Sequence, residues 1–259
     1  MTLNIYGATP EQLAALPPAE FAELEAIIEY DYKEHQRKRI YRLFPDKGPL
    51  RRGLYPKHMV FFEAGAEHQE RAFIAGNRVG KTMAGCYELT CHLIGWYPHW
   101  WVGYRFDRSV AVWASGEDTK SVRESLQETL LGRFGAFGTG LIPGDAILST
   151  TARGGVPEAI DTVSVKTKWG DEPSRLVFKT YDQGRTSFQA AQVDVVMFDE
   201  EPPADIYSEG LTRTMSTVPG EKSGIVLCTF TPLKGLSTVV QSYMPGGQRV
   251  EGSLSRHGM

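Results

Sequence analysis

Hydrophobic positions along the chain fall into two regimes. In the first 44 residues they recur at helical spacing: Phe21, Leu24, Ile28 and Tyr32, with Ile40, Leu43 and Phe44 further on. Pro17 and Pro18 stand where the first turn of a helix tolerates proline, and acids fill the early turns, where they meet the positive end of the helix dipole. The pattern predicts a long amphipathic helix, broken by Pro45, Gly48, Pro49 and Gly53. From about residue 60 short apolar runs alternate with helical stretches. Strands are predicted at Arg71–Ala75, Val110–Ser115, Arg175–Thr180, Val193–Phe198 and Ile225–Phe230. Most are near-continuous apolar runs, as parallel strands covered on both faces require. The helical patterns between them imply crossover connections. The Gly-, Pro-, Thr- and Asp-rich stretch 132–174 is predicted to hold loops and an inserted hairpin.

Composition narrows the class without naming it. The chain has 259 residues, enough to bury a substantial core, with 41% hydrophobic and 23% charged residues. It contains no apolar run near the ~18 residues of a membrane span, and its start lacks a secretory pattern. Its three cysteines form no CxxC pair and no disulfide framework, and its six histidines show no metal-ligand spacing. A secreted, membrane-spanning, fibrous or zinc-finger protein is therefore set aside. The net charge of −3 hides an asymmetry. Residues 1–32 carry six acids and no Lys or Arg, whereas residues 33–57 carry nine basic side chains against two acids. Any nucleic-acid contact should then be local, transient or shared between subunits. The basic run Lys33–Arg42 reads as a solvated helix face, because it falls on the amphipathic pattern. The aromatic cluster Trp96, Tyr97, Trp100, Trp101, Tyr104 and Phe106 reads as packing, and Cys86, Cys91 and Cys228 as small core residues.

The candidate chemistry begins after the first strand. Ala75-Gly76-Asn77-Arg78-Val79-Gly80-Lys81-Thr82, followed by a helical stretch through Ile94, has the form of a phosphate-binding loop. Such a turn aims successive backbone N–H groups at phosphates, where the helix N-terminus adds its positive end. Lys81 would reach the β- and γ-phosphates and the Thr82 hydroxyl would ligate Mg²⁺. The first position is Ala75 where the strict pattern has Gly. A second element, Val195-Val196-Met197-Phe198-Asp199-Glu200-Glu201-Pro202, feeds acids to a strand's C-terminal end, where ligands collect in open α/β sheets. Asp199 would hold Mg²⁺ and Glu200 would polarise the attacking water, with Glu201 the weaker candidate for that base. A third, Cys228-Thr229-Phe230-Thr231-Pro232, closes the last strong strand; Thr229 and Thr231 could sense the γ-phosphate and pass on its loss.

These elements, in this order, resemble the ATPase domain of the large terminase subunit, the DNA-packaging motor of tailed bacteriophages. The resemblance spans roughly residues 55–235 and includes the run-up Tyr181-Asp182-Gln183-Gly184-Arg185 through Phe188-Gln189 to the Asp199 strand. It implies an α/β P-loop NTPase of the ASCE, RecA-like type: a mostly parallel central sheet flanked by helices, with an N-terminal helical arm. It implies ATP and Mg²⁺ as ligands, and ATP hydrolysis driving double-stranded viral DNA into a procapsid. The implied partners are DNA, the small terminase subunit, the portal protein and further copies in a ring on the procapsid, the isolated chain being monomeric. No membrane is involved, and the implied location is the cytoplasm of the infected host, transiently at the portal vertex.

Residue by residue, the resemblance makes Arg78 the counterpart of a loop arginine that answers to the γ-phosphate, although the family's arginine often stands one position earlier, at Asn77. Tyr55-Pro56-Lys57-His58 matches the adenine-side motif, with His58 where Gln is usual; Tyr55 would stack on the base. Arg213, with Arg185 and Arg123 behind it, is the candidate for an arginine supplied to an adjacent subunit. The expected organisation is an arm and linker over 1–58, the ATPase core over 59–245 and a tail over 246–259. The family also carries an RNase H-like nuclease domain, and the 27 residues after Pro232 are too few for one, so DNA cleavage is not expected. Two alternatives remain at this point: a helicase-like nucleic-acid-dependent ATPase, and an assembly module that binds nucleotide and hydrolyses little.

Overall fold

The computed structural model describes residue 9 and residues 16–189, 191–216, 223–233, 235–244 and 254–255. Among the described residues eight strands form one sheet: β1 (Glu70–Ile74), β2 (Ala111–Gly116), β3 (Ile147–Ala152), β4 (Ile160–Val165), β5 (Ser174–Thr180), β6 (Val195–Asp199), β7 (Ile225–Phe230) and β8 (Leu254–Ser255). Their order is β3-β4-β5-β2-β6-β7-β1-β8. The five strands from β5 to β1 run parallel, while the hairpin β3–β4 adds antiparallel to β5. That hairpin is the insertion expected within 132–174. The five predicted strands all form, each within one or two residues of its expected ends. Of the tail expected at 246–259, only Leu254 and Ser255 lie among the described residues; they pair antiparallel with Ala72 and Arg71.

Both faces of the sheet are covered, and the period-two geometry of strands sorts the side chains between two cores. On β6, Val195 and Met197 enter one core and Val196 and Phe198 the other; on β7, Ile225 and Leu227 separate in the same way from Val226 and Cys228. One core lies beneath helices α2 (Pro56–Glu63) and α3 (Lys81–Ile94) and a helical segment made of α4 (Thr119–Val122), a π turn (Arg123–Gln127) and α5 (Glu128–Leu131). The other lies beneath α6 (Ala204–Thr214) and α7 (Thr238–Ser242). Gly85 lets α3 seat directly on β6: a Cβ there would stand 2.5 Å from Cε of Met197. All three cysteines are buried, and Trp100 and Trp101 pack on Phe62 and Tyr87, as the packing reading expects.

The N-terminal segment departs from its pattern in one respect that matters below. Helix α1 (Pro18–Arg37) forms, and of its described stripe residues Leu24 is buried while Phe21 and Ile28 are exposed. Ile40 and Phe44 do not continue the helix. Arg39–Arg42 is a 3₁₀ turn, and Ile40 and Phe44 on either side of its end plug the core with Phe61, Phe62 and Tyr87. Phe44 holds the left-handed backbone region (φ 56°), a costly conformation for a side chain with a Cβ, and ring contacts to Tyr55, Phe62 and Tyr87 surround it. The boundary expected at 58/59 falls inside α2, and the chain from Ile40 onward shares the core.

A buried ion pair ties β1 to α3. Arg71 and Glu88 are both wholly buried; Nη1 and Nη2 of Arg71 donate to the two carboxylate oxygens at 3.1 and 2.5 Å, and Nη1 also donates to the Phe61 carbonyl at 2.7 Å. His92 lies 3.4 Å from the same carboxylate and 2.9 Å from the Tyr97 hydroxyl. Burial opposes ionisation of Glu88, but Arg71 and the hydrogen bonds outweigh it and hold the carboxyl below its ordinary pKa. Stability from the pair is therefore present above the ordinary carboxylate range and lost as pH falls below it. Glu88→Ala strands a buried guanidinium and should cost about 3–5 kcal/mol. At about 2–4 °C per kcal/mol, melting curves should drop by roughly 10 °C, and Arg71→Met with Glu88→Leu should recover much of that. An unchanged melting temperature in Glu88→Ala would show the pair to be energetically idle.

Candidate functional site

Three strand ends meet at one edge of the sheet. Between β1 and α3 the loop passes through Arg78 (φ 62°) and Gly80 (φ 84°) before α3 begins at Lys81. Gly80 is required on two counts: its φ lies in the left-handed region, and a Cβ would stand 2.9 Å from Nε2 of His58. Because β7 lies between β1 and β6, the ends of all three strands converge. The Lys81 ammonium, 6% exposed, donates to the Gly76 carbonyl at 2.8 Å and to the Thr231 hydroxyl at 2.9 Å. The Thr231 hydroxyl in turn lies 2.7 Å from Oδ1 of Asn77 and 3.0 Å from the Ala75 carbonyl.

Asp199 is the centre of the arrangement. Its Oδ1 accepts hydrogen bonds from the hydroxyls of Thr82 at 2.7 Å and Thr229 at 2.8 Å, and its Oδ2 from Ser125 at 3.3 Å. Thr82 and Asp199 are 117 positions apart in sequence, so only the fold joins them. Burial raises the Asp199 pKa against the opposing pull of these hydroxyls and of Lys81. Glu200 follows in the left-handed region (φ 61°), its N–H donating to the Thr229 carbonyl at 3.0 Å and its carbonyl accepting from the Tyr181 hydroxyl at 2.9 Å. Burial first, then Asp199, raise its carboxyl pKa as well. A cavity of about 490 Å³ opens here, lined among others by Asn77, Thr82, Ser125, Asp199 and Glu200. Glu201 is turned into the protein, 7% exposed, with Oε2 lacking a partner. Geometry therefore separates the two adjacent glutamates, and Glu200 is the one at the cavity.

A carboxyl with a raised pKa destabilises the fold in its ionised form, so the two acids cost stability above the ordinary carboxylate range. Asp199→Asn, which keeps a hydrogen-bonding group and removes the charge, should raise the melting temperature of the nucleotide-free protein at pH 8. Each kcal/mol regained is worth about 2–4 °C, and the advantage should shrink as pH falls through the raised pKa. A variant that melts lower than wild type at every pH would contradict the burial argument.

The remaining expected residues are distributed more widely. Tyr55 and His58 face the loop from the other side, with His58 Nε2 3.2 Å from the Gly80 carbonyl and the two rings edge-on at 5.4 Å. Burial holds His58 below its ordinary pKa. They line a second cavity of about 620 Å³ that also touches Arg39, Arg42, Phe44, Arg78, Val79 and Met83. Arg78 thus faces this second cavity, whereas Asn77 faces Asp199 and Glu200. The structure does not bring Arg213 to the other site residues. Its carbonyl accepts from Val193 N–H two residues before β6, about 20 Å of extended chain away from Asp199, and its guanidinium grips Glu209 at 2.6 and 2.9 Å. Arg185 holds the same carboxylate at 2.8 Å, and Arg123 bonds the Pro157 carbonyl. Sequence reading missed three contributors. Ser125 reaches Asp199 from the π turn, a helical irregularity with no sequence mark, although Asp118, which caps α4 by accepting from Ser121 N–H at 2.9 Å, signals a helix start. The amphipathic pattern assigns Arg39 and Arg42 to a solvated helix face, and the 3₁₀ turn that breaks the helix puts them at the second cavity instead.

Fold and site together define a P-loop NTPase: a parallel sheet flanked by helices, a Gly-Lys-Thr turn opening a helix, and an acidic strand end across from it. A family model narrows this further. The chain belongs to the family described as terminase large subunit, T4likevirus-type, N-terminal, whose model matches residues 72–253. It is 34% identical over 248 residues to the terminase large subunit of Salmonella phage P22, covering 88% of this chain and 47% of that protein. The chain thus spans about half the length of that relative. Among solved structures it is similar to the large terminase ATPase domain of Thermus phage P74-26, in an arginine-to-alanine mutant (TM-score 0.47, 16% identity, 71% of this chain and 68% of that one). It is also similar to the large terminase of a thermophilic bacteriophage solved in complex with ATP-gamma-S (TM-score 0.44, 9% identity, 67% of this chain and 37% of that one).

Proposed function

We propose that this chain is the ATP-hydrolysing part of a viral DNA-packaging motor, coupling turnover at the Lys81–Asp199 site to movement of double-stranded DNA into a procapsid. Membership of the large terminase family supports the role. The observation that carries the site is the 2.7 Å hydrogen bond joining Thr82 to Asp199, with Lys81 and Glu200 beside it. The donor set suits Mg²⁺: a hard cation that accepts one or two protein oxygens and completes its shell with phosphate and water. Thr82 and Asp199 would hold it, and it would supply neutralisation of phosphate charge. Lys81 would grip the β- and γ-phosphates, and the loop N–H groups would cradle them. Glu200 would orient and polarise the attacking water. Thr231 touches Lys81, Asn77 and the Ala75 carbonyl, while its neighbour Thr229 touches Asp199. Loss of the γ-phosphate would alter the partners of both threonines and so be felt along β7.

Tyr55 would flank the base, and the ring partners, the small subunit and the portal would be those of the family. An arginine acting across a subunit boundary would need to leave Glu209 if it were Arg213. The site of action would be the host cytoplasm and the portal vertex; among the described residues no helix is long and apolar enough to cross a membrane. The test is phosphate release from ATP by the purified chain, with and without Mg²⁺ and double-stranded DNA. Mg²⁺-dependent release that rises with DNA is expected. No release at saturating ATP, Mg²⁺ and DNA would sink the reading.

A further inference from the structure

We infer that the base of the bound nucleotide is selected by the guanidinium groups of Arg39, Arg42 and Arg78, and that this site accepts guanine as well as adenine nucleotides. The inference rests on the phosphate-loop reading above and asks which base that loop's ligand carries.

The second cavity, about 620 Å³, continues from the Gly80 side of the loop to the first turn of α3, at Met83. Its apolar walls, among them Phe44, Val79 and Met83, suit a flat ring. Its polar lining is one-sided: three arginines, Tyr55 and His58, with no carboxylate and no carboxamide. Arginine only donates hydrogen bonds. Among the described residues, none of the three guanidinium groups meets a protein acceptor or a carboxylate. Nε2 of His58 is engaged by the Gly80 carbonyl. Among the described residues, three positive donors therefore line an apolar slot that has no carboxylate in its lining, an arrangement that suits the acceptor edge of a ring.

The turn that carries two of the donors is held in place. Arg39 and Arg42 lie three residues apart on a 3₁₀ turn, a spacing that brings side chains to one side, and buried Ile40 and Phe44 pin that turn to the core. Arg78 comes from the phosphate loop itself. The edge of guanine presents O6 and N7 as adjacent acceptors, the pair that a guanidinium fork meets with two parallel hydrogen bonds. Adenine offers N7 beside an N6 amine, and an amine needs an acceptor. The lining leaves it, and equally the N1–H and N2 amine of guanine, the Tyr55 hydroxyl and main-chain carbonyls, so these donors set neither base apart and the O6/N7 edge is what the guanidinium groups read.

Calorimetric binding of ADP, GDP and tripolyphosphate in Mg²⁺, to wild type, Arg42→Lys and the Arg39→Ala/Arg42→Ala double variant, tests this. Wild type should bind GDP within about tenfold of ADP, since a bidentate pair is worth roughly ten- to a hundredfold in base discrimination. The double variant should weaken ADP and GDP about tenfold or more and leave tripolyphosphate within about twofold. Arg42→Lys keeps the charge and loses the fork, so it should weaken GDP more than ADP. Wild-type GDP binding more than about a hundredfold weaker than ADP, with tripolyphosphate bound, would overturn the base inference and leave the phosphate-loop reading intact. Equal weakening of tripolyphosphate in the double variant would recast the arginines as phosphate ligands and overturn it too. A wild type that binds none of the three would remove both readings.

Discussion

Glu200→Gln should lower the rate of ATP hydrolysis by about 10²–10⁴, the range that a positioned general base contributes, while the dissociation constant for Mg²⁺-ATP stays within about threefold. The reasoning is geometric before it is electrostatic. Glu200 is fixed in the left-handed region by a hydrogen bond from its N–H to Thr229 and by one from Tyr181 to its carbonyl, so its side chain is committed to the 490 Å³ cavity it shares with Thr82 and Asp199. Burial and the Asp199 charge raise its pKa, and a carboxylate nearer neutrality is the stronger base at working pH. The sign for pH follows. The base is active when ionised, so turnover should be lost as pH falls through the pKa of Glu200, and that acid limb should vanish in Glu200→Gln. Single-turnover phosphate release across pH measures both. Glu201→Gln is the control, since that side chain faces the interior; if it halts turnover and Glu200→Gln does not, the base has been misassigned.

Lys81→Ala should weaken ATP and ADP binding by about 10²–10⁴-fold and abolish turnover. The ammonium is buried at the loop mouth and makes two hydrogen bonds to neutral oxygens, the Gly76 carbonyl and the Thr231 hydroxyl. Phosphate oxygens compete for the same donors with full charge, and two charge-assisted hydrogen bonds at ~1.5–3 kcal/mol each account for the expected loss. Alanine also removes the charged link between the loop and Thr231, so the coupling proposed for β7 should fail with it. Titration calorimetry with ADP and with tripolyphosphate reads the first effect directly: both should be lost together, because the residue acts on phosphate and not on base. Melting temperature should move little in the nucleotide-free protein. Nucleotide affinity within a few-fold of wild type would remove Lys81 from the site.

Sequence determined a large part of this protein, for identifiable reasons. Strands buried on both faces must be continuously apolar, so Val195–Phe198 and Ile225–Phe230 announced themselves, and a Gly-Lys-Thr turn between strand and helix has few other uses. The residues that touch phosphate and Mg²⁺ in the proposed reading lie next to the backbone features that position them, which is why short motifs find them. What the chain order could not supply was adjacency between distant segments. Asp199 collects hydroxyls from Thr82, Ser125 and Thr229 because β7 lies between β1 and β6, and strand order leaves no mark in local pattern. Periodicity puts Ile40 and Phe44 on a helix stripe. It could not register that a single 3₁₀ turn after Arg37 redirects them into the core and swings Arg39 and Arg42 toward the phosphate loop. Arg78 and Asn77 are neighbours in sequence, yet the left-handed backbone at Arg78 sends the two side chains into different cavities. Local pattern records which residues are buried and which turn has the form of a phosphate loop, because those depend on a few consecutive side chains. Which residues meet across the site depends on packing among elements far apart in the chain, and that was settled only by the folded structure.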